Sequence, residues 1–214
     1  MPTHLKRILT AVLAITLAVQ SSMASPPILH RQDNTASNPS PRGQGPEIQF
    51  GHCYTIKNKN GEPLGHQPSA WNYLRFGAGT KPARFKVCQN LGQCKSPNTD
   101  YQVLLNRARF WLFDVEGNYY SPRGDFVAAN SPPFGSNRNL YPAGGDYRYY
   151  VDFWGENDCS RPDARPLGQC PVKLRIDNLR DDKGLVIQDG YLKAAASGDD
   201  VVVVTFEDAK CPDE

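Results

Sequence analysis

Residues 172–206 read Val-Lys-Leu-Arg-Ile-Asp-Asn-Leu-Arg-Asp-Asp-Lys-Gly-Leu-Val-Ile-Gln-Asp-Gly-Tyr-Leu-Lys-Ala-Ala-Ala-Ser-Gly-Asp-Asp-Val-Val-Val-Val-Thr-Phe. Four short runs rich in β-branched and aromatic residues stand out: 172–177, 185–187, 191–194 and 201–206. The text between them is Gly, Asp, Asn and Ser, the residues that turn a chain back on itself. Strands separated by such turns read as a meander. No stretch of comparable length has the 3.6-residue period of a helix. Tyr101 to Arg109 comes nearest, and its Val103-Leu104-Leu105 fits a strand as well.

The same pattern occurs twice upstream. The first copy runs Tyr54–Asn58, Gly61, Pro63-Leu64, Tyr73–Phe76, the Gly77-Ala78-Gly79 turn and Arg84–Cys88. The second runs Phe110–Asp114, Gly117, Phe126–Ala129, a long loop and Tyr149–Phe153. Each copy places a glycine after its first strand, an aromatic-led third strand and an alternating fourth. Gly61, Gly117 and Gly184 are expected to adopt positive φ, which a residue without Cβ does without a clash. Three copies of a four-stranded unit resemble the β-trefoil, from about Gly51 to Cys211, and the resemblance implies an all-β fold with pseudo-threefold symmetry. A β-sandwich is the alternative, since strand-turn-strand text is repetitive there too.

The chain opens with a short basic segment ending at Lys6-Arg7, an apolar run from Ile8 to Val19, and Ser22-Met23-Ala24. That is the layout of a secretory signal peptide over residues 1–24; a membrane span needs about 20 apolar residues, and this run is shorter. Residues 25–47 carry Pro26, Pro27, Pro39, Pro41 and Pro46 among Ser, Asn and Gln. Such a stretch buries too little apolar surface to offset its ordering entropy, and it reads as a disordered leader or propeptide. Residues 48–214 are the expected folded domain, long enough for one core. The expected location is extracellular.

Without residues 1–24 the chain has 22 basic and 22 acidic residues. This balance argues against nucleic acid, because phosphate binding needs a surplus of Lys and Arg. All six cysteines lie in the exported part, and an even number in an oxidising compartment points to three disulfides. The shared Leu-Gly-Gln-Cys at 91–94 and 167–170 suggests two equivalent staples, Cys88–Cys94 and Cys159–Cys170. Cys53 and Cys211 remain. In the β-trefoil the first and last strands are neighbours, so the resemblance implies that this pair closes the ring. A zinc site is the rival, but no Cys-x-x-Cys occurs and His52 and His66 are the only nearby imidazoles. No metal and no cofactor are expected.

Catalysis finds little support. The cysteines are committed to bridges, and His52 and His66 sit in no Gly-x-Ser-x-Gly or His-Glu-x-x-His text. His52 reads as an ordinary strand residue and His66 as a solvated turn residue. Asp181-Asp182 and Asp199-Asp200 occupy turn text, and Asp114 and Asp177 read as turn initiators. No catalytic residue is assigned, although a secreted hydrolase remains an alternative.

Binding is the better class. Trp71, Tyr119, Tyr120, Phe134, Tyr141, Tyr147 and Trp154 fall in or beside loops, where aromatics supply contact area at small entropy cost. Trp111 and Tyr150 read instead as packing residues. The stretch from Asn130 to Asp146 is the largest departure from the repeat, and a long loop inside a compact domain is often functional. Arg123, Arg138 and Arg148 flank it. The candidate binding set is therefore Trp71, Phe134, Arg138, Tyr141 and Tyr147. The rival reading is that the aromatics pack and the arginines are solvated.

Branches of the trefoil differ in what they imply. Ricin-type lectins carry Gln-x-Trp in each copy, and this sequence has none. Residues 113–118, Phe-Asp-Val-Glu-Gly-Asn, are similar to a strand-turn text of Kunitz-type protease inhibitors of the soybean class. That resemblance implies a protease partner met by the 130–146 loop. The order of signal, Pro/Ser-rich leader and disulfide-stapled β domain also resembles fungal small secreted proteins of the effector type. It implies an extracellular, host-facing role, including one in virulence; the expected molecule is a monomeric binding protein whose ligand is a protein or glycan, such as a host protein or a protease.

Overall fold

The computed structural model describes residues 46–95, 102–129, 138–144, 149–159, 166–176 and 183–212. The expected signal segment, residues 25–45 of the expected leader, and Phe134, Tyr147, Arg148, Asp177, Asp181 and Asp182 lie outside these residues.

Thirteen strands occur among the described residues, with one short 3-10 turn at Gln93–Lys95. The first copy supplies β1 (Cys53–Asn58), β2 (Leu64–His66), β3 (Leu74–Phe76), β4 (Lys81–Pro82) and β5 (Phe85–Cys88). The second supplies β6 (Arg109–Asp114), β7 (Asp125–Ala129), β8 (Arg138–Pro142) and β9 (Asp152–Asn157). The third supplies β10 (Val172–Ile176), β11 (Gly184–Gln188), β12 (Tyr191–Ala195) and β13 (Val202–Ala209). Among the described residues no helix is long and apolar enough to cross a membrane.

The first and last strands of each copy form a closed antiparallel ring. Going round, β1 pairs β5, β5 pairs β6, β6 pairs β9, β9 pairs β10, β10 pairs β13 and β13 returns to β1. Closure leaves none of these strands as a free edge. The remaining strands make three hairpins, β2–β3, β7–β8 and β11–β12, with the short β4 paired on the far side of β2. The hairpins are joined where Tyr191 faces Arg75 and Lys193 faces Asn139. A six-stranded ring capped by three hairpins is the β-trefoil arrangement, and the sandwich alternative fails because its sheets would stay open.

Alternation of side chains sends every second residue of the ring inward. Ile56, Phe85, Val87, Phe110, Leu112, Phe153, Val172, Leu174, Val204 and Phe206 all fall in one buried cluster. Four rings make an aromatic layer there: Phe110 stacks on Phe153 at 5.9 Å between centroids and meets Phe206 edge-on, and Phe206 meets Tyr54. Truncating a ring in such a layer costs about 3–5 kcal/mol. Ile48 and Phe50 join the cluster.

The second copy departs from its expected reading. The supposed loop from Asn130 to Asp146 contains β8, and Phe126–Ala129 belongs to the second strand of its copy rather than the third. The fourth strand begins at Asp152 instead of Tyr149. Polar Arg138 and Asn139 and the terminal Pro142 hide the strand from a propensity reading; its pairing with β7 and β12 makes it one.

Glycine also behaves differently in the third copy. Gly61 and Gly117 have φ of 79° and 63°, as expected of turn glycines. Gly184 does not have positive φ and lies in β11. A Cβ there would come within 1.9 Å of the Ser197 carbonyl oxygen, so close backbone approach is what requires glycine.

The structure pairs Cys53 with Cys211, Cys88 with Cys94 and Cys159 with Cys170, at Cα separations of 5.3, 5.3 and 5.9 Å. The first joins the start of the ring to its end. The other two pin the connections between copies.

Candidate functional site

The turn after β6 illustrates how local chemistry builds a surface. Asp114 ends the strand, and its Oδ1 accepts hydrogen bonds from the backbone N–H groups of Glu116 and Gly117. This is the turn-initiating role expected of it. Asn58 does the same in the first copy, accepting from Asn60 and Glu62. A Cβ on Gly117 would lie 2.0 Å from the Ser121 carbonyl oxygen. The chain therefore passes through a point that only glycine fits, and the next residue, Asn118, is directed inward.

Asn118 is 4% exposed and uses both ends of its amide. Its Oδ1 accepts from the N–H groups of Tyr120 and Ser121, each at 2.9 Å. Its Nδ2 donates to the carbonyls of Pro142, at 2.6 Å, and Trp71, at 3.4 Å. One side chain thus ties together residues 117–124, the end of β8 and the β2–β3 loop. Two more bonds join the same loops: Asn72 Nδ2 donates to the Gly117 carbonyl at 2.8 Å, and the Tyr119 N–H donates to the Ala70 carbonyl at 3.2 Å. Asn72 sits at φ 52°, a left-handed conformation that Asn tolerates better than most residues.

The product is an exposed group of rings on a fixed base. Trp71 is 38% exposed, Tyr120 50% and Tyr119 79%. Trp71 lies against Tyr120 with centroids 4.3 Å apart, and Tyr119 meets Tyr120 edge-on at 5.3 Å. Beneath them Tyr141 meets Trp71 and Tyr73 edge-on, at 5.6 and 6.0 Å. Gly144 closes the back, where a Cβ would approach that of Tyr120 to 3.1 Å. Contact rings held rigid before binding lose little entropy on binding.

Of the expected binding set, the structure brings Trp71 and Tyr141 together and adds Tyr119 and Tyr120. Tyr141 is not a loop residue. It is buried in β8 and supports Trp71 from below. Arg138 is likewise a half-buried strand residue, opposite Ala194. Trp154, expected beside a loop, lies in β9 with the Arg175 guanidinium 4.4 Å above its ring. Trp111 packs edge-on against Phe126, and Tyr150 packs on the same ring while donating to Asp125 Oδ1 at 2.7 Å. Sequence reasoning missed Asn118 altogether; the only signal was an Asn after a turn glycine.

A second polar cluster corrects the reading of His66. It is 4% exposed, in β2, with Nε2 2.6 Å from Asp114 Oδ2. Gly65 and His66 belong to β2 because Gly65 lets β4 approach; a Cβ there would meet the Lys81 carbonyl oxygen at 2.2 Å. Burial pushes the Asp114 carboxyl above the ordinary carboxylate range, against the opposing pull of its hydrogen bonds to His66 and the two turn amides. Asp125 faces Asp114 across the β6–β7 pairing and is also buried. Its oxygens are met by Tyr150, Phe126 N–H and Ser121 Oγ. A His and two carboxylates thus lie close together, but each is spent on a turn or a neighbouring loop. His52 precedes β1 and lends its carbonyl to Val87 N–H. Asp199 and Asp200 form the turn before β13, as expected, with Leu185 N–H donating to the Asp200 carbonyl.

Among the described residues, no group of three or more His, Cys, Asp or Glu side chains is arranged to hold a metal ion. An open cleft of about 410 Å³ lies elsewhere, between Asn58, Glu62, Phe76, Ile187, Gly190 and Val202.

No protein-family model matches the sequence, and no curated protein is similar to it by sequence. Among solved structures, winged bean albumin 1 is similar over 76% of this chain and 94% of its own, at 15% identity and a TM-score of 0.50. A trypsin inhibitor from soybean aligns over 77% of this chain and 95% of its own, at 13% identity and a TM-score of 0.49. A lysenin pore aligns over 78% of this chain and half of its own, at 14% identity and a TM-score of 0.48. At 15% identity the likeness to winged bean albumin 1 is one of fold alone.

Proposed function

We propose that this chain is an exported, non-catalytic binding protein that engages a macromolecule through the ring group Trp71, Tyr119 and Tyr120. One observation carries the reading. Three large aromatic side chains remain exposed while the backbone beneath them is locked by a buried amide. Isolated exposed hydrophobes are ordinary on a protein surface, but a contiguous set on a preorganised base marks an interaction site.

The remaining parts are consistent with work outside the cell. Three disulfides suit an oxidising compartment. Residues 1–24 serve as the signal, residues 25–47 as a leader, and residues 48–214 as the folded monomeric domain. In this reading the protein faces a host as an effector, with a host macromolecule as its ligand. The test is capture by the full chain from host extracellular extracts, compared with a Tyr119→Ala/Tyr120→Ala variant. Loss of ring-dependent partners supports the reading; identical capture by both proteins sinks it.

A protease inhibitor is the second reading, favoured by one feature. A locked, exposed turn carrying Tyr119 and Tyr120 is also what an inhibitor presents to a protease with an apolar specificity pocket. The presenting segment then moves from residues 130–146 to residues 117–122. Steady-state assays against chymotrypsin-like and subtilisin-like enzymes decide it, since inhibition must weaken when Tyr119 and Tyr120 are removed.

A further inference from the structure

The chemistry of the ring group points to one kind of partner, and we infer that it is an uncharged glycan chain, stacked by its sugar faces on Trp71, Tyr119 and Tyr120. The inference rests on the binding reading above and specifies its ligand. Charge is the first argument. The segments that build the surface are residues 67–73, 117–122 and 140–144. None contains Asp, Glu, Lys or Arg; at the borders of the second, Glu116 is paired with Arg84 at 2.7 Å and Arg123 is exposed. An acidic polysaccharide, a phosphorylated ligand or an anionic membrane would call for a cluster of Lys or Arg here, not a single bordering Arg123.

The second argument is the arrangement of the rings. An aromatic cage for a quaternary ammonium needs rings standing around an empty space. Trp71 and Tyr120 lie only 4.3 Å apart, so nothing fits between them. The rings abut one another instead of standing around a space, at 34° between Trp71 and Tyr120 and 90° between Tyr120 and Tyr119, so what each offers is a single exposed face, and such a face takes a ligand that is itself flat. Pyranose rings qualify, because their axial C–H groups carry a small positive charge that suits the negative face of an aromatic ring.

The third argument is what the surface lacks. The exposed large side chains of this group are all aromatic. Among the described residues the exposed large aliphatic ones, Leu105 and Ile187, lie on other elements, Ile187 within the cleft at the β11–β12 hairpin. The core of a protein–protein interface draws on Met and Arg beside its aromatics; these three segments have neither, and Arg123 stands at the edge of the second.

The test uses the full exported chain with its disulfides formed. It is titrated with neutral hexasaccharides of β-1,4-linked N-acetylglucosamine, β-1,4-linked glucose and β-1,3-linked glucose. Tryptophan fluorescence and calorimetry are the readouts. At least one is expected to bind with Kd of about 0.1–1 mM, the range of a few modest contacts. Tyr119→Ala is expected to weaken that binding about fivefold or more, and Tyr119→Phe, which keeps the ring, to retain it. Leu105→Ala is the control that leaves it unchanged. Tyr119 is largely exposed, so its variants fold. The inference is overturned if none of the three saccharides binds below about 10 mM, or if Tyr119→Ala binds as the parent does. Should saccharides fail while a host protein is captured in a ring-dependent way, the glycan assignment falls and the binding reading stands. If the rings matter to neither, both fall.

Discussion

Replacing Asn118 by Ala puts the construction of the ring surface to a quantitative test. The amide makes four hydrogen bonds and is almost completely buried. A neutral hydrogen bond contributes about 1 kcal/mol net, and a buried group left without a partner costs about 1–3 kcal/mol. The Tyr120 and Ser121 amides lie near the surface and regain some water in the variant. The Pro142 carbonyl lies deeper and regains less. The expected loss is therefore about 2–4 kcal/mol, a large part of the stability of an ordinary domain. Urea denaturation measures it as a lower midpoint with an unchanged slope. Near-ultraviolet circular dichroism should also change, because the Trp71–Tyr120 contact depends on the same bonds. Asn118→Asp separates geometry from size. It keeps the acceptor toward Tyr120 and Ser121 but sets a second acceptor against the Pro142 carbonyl. Burial raises the folded-state pKa of the new carboxyl, so its protonated form, which can donate to Pro142, is favoured in acid. The penalty must then grow as pH rises through that folded-state pKa. A loss below about 0.5 kcal/mol for Asn118→Ala, the usual range for surface changes, would refute this account. So would a pH-independent Asn118→Asp.

The disulfides should differ in worth by the length of chain they close. For separations of 158, 11 and 6 residues the chain-entropy model gives about 5, 3 and 2 kcal/mol. Paired Cys→Ala variants should lose stability in the order Cys53/Cys211, Cys159/Cys170, Cys88/Cys94, and a reversed order in denaturation midpoints would contradict it. Asp114 should make stability pH-dependent. Its folded-state pKa lies above the ordinary 3.8, so its contribution is full below that value and is lost as pH rises through the folded-state pKa. The stability of the parent minus that of Asp114→Asn should fall as pH is raised from about 4, and a flat difference would count against the burial argument.

The likeness among the three copies also explains where sequence reading stopped. Strand alternation, the turn residues after each first strand, and the paired Leu-Gly-Gln-Cys texts are local features. They act through neighbours a few residues away, and they delivered the ring strands and two disulfides directly. The third disulfide needed only the neighbourhood of first and last strands that the repeat implies. By contrast, β8 has weak strand text and exists because β7 and β12 flank it. His66 looked solvated because nothing near it in sequence announces Asp114, 48 residues on.

The ring surface lies on the same divide. Sequence supplied Trp71, Tyr119, Tyr120 and Tyr141 as aromatics in or near turns, and could not say which of them meet. Loop residues separated by 24 to 47 positions come together only when the ring closes and the hairpins fold over one end. The chain's own text determined that it makes three β units stapled by sulfur, because period-two alternation, turn chemistry and cysteine spacing are properties of short segments. Which side chains became surface, support or core was decided by the tertiary structure, because burial is set by what packs against a residue from far along the chain.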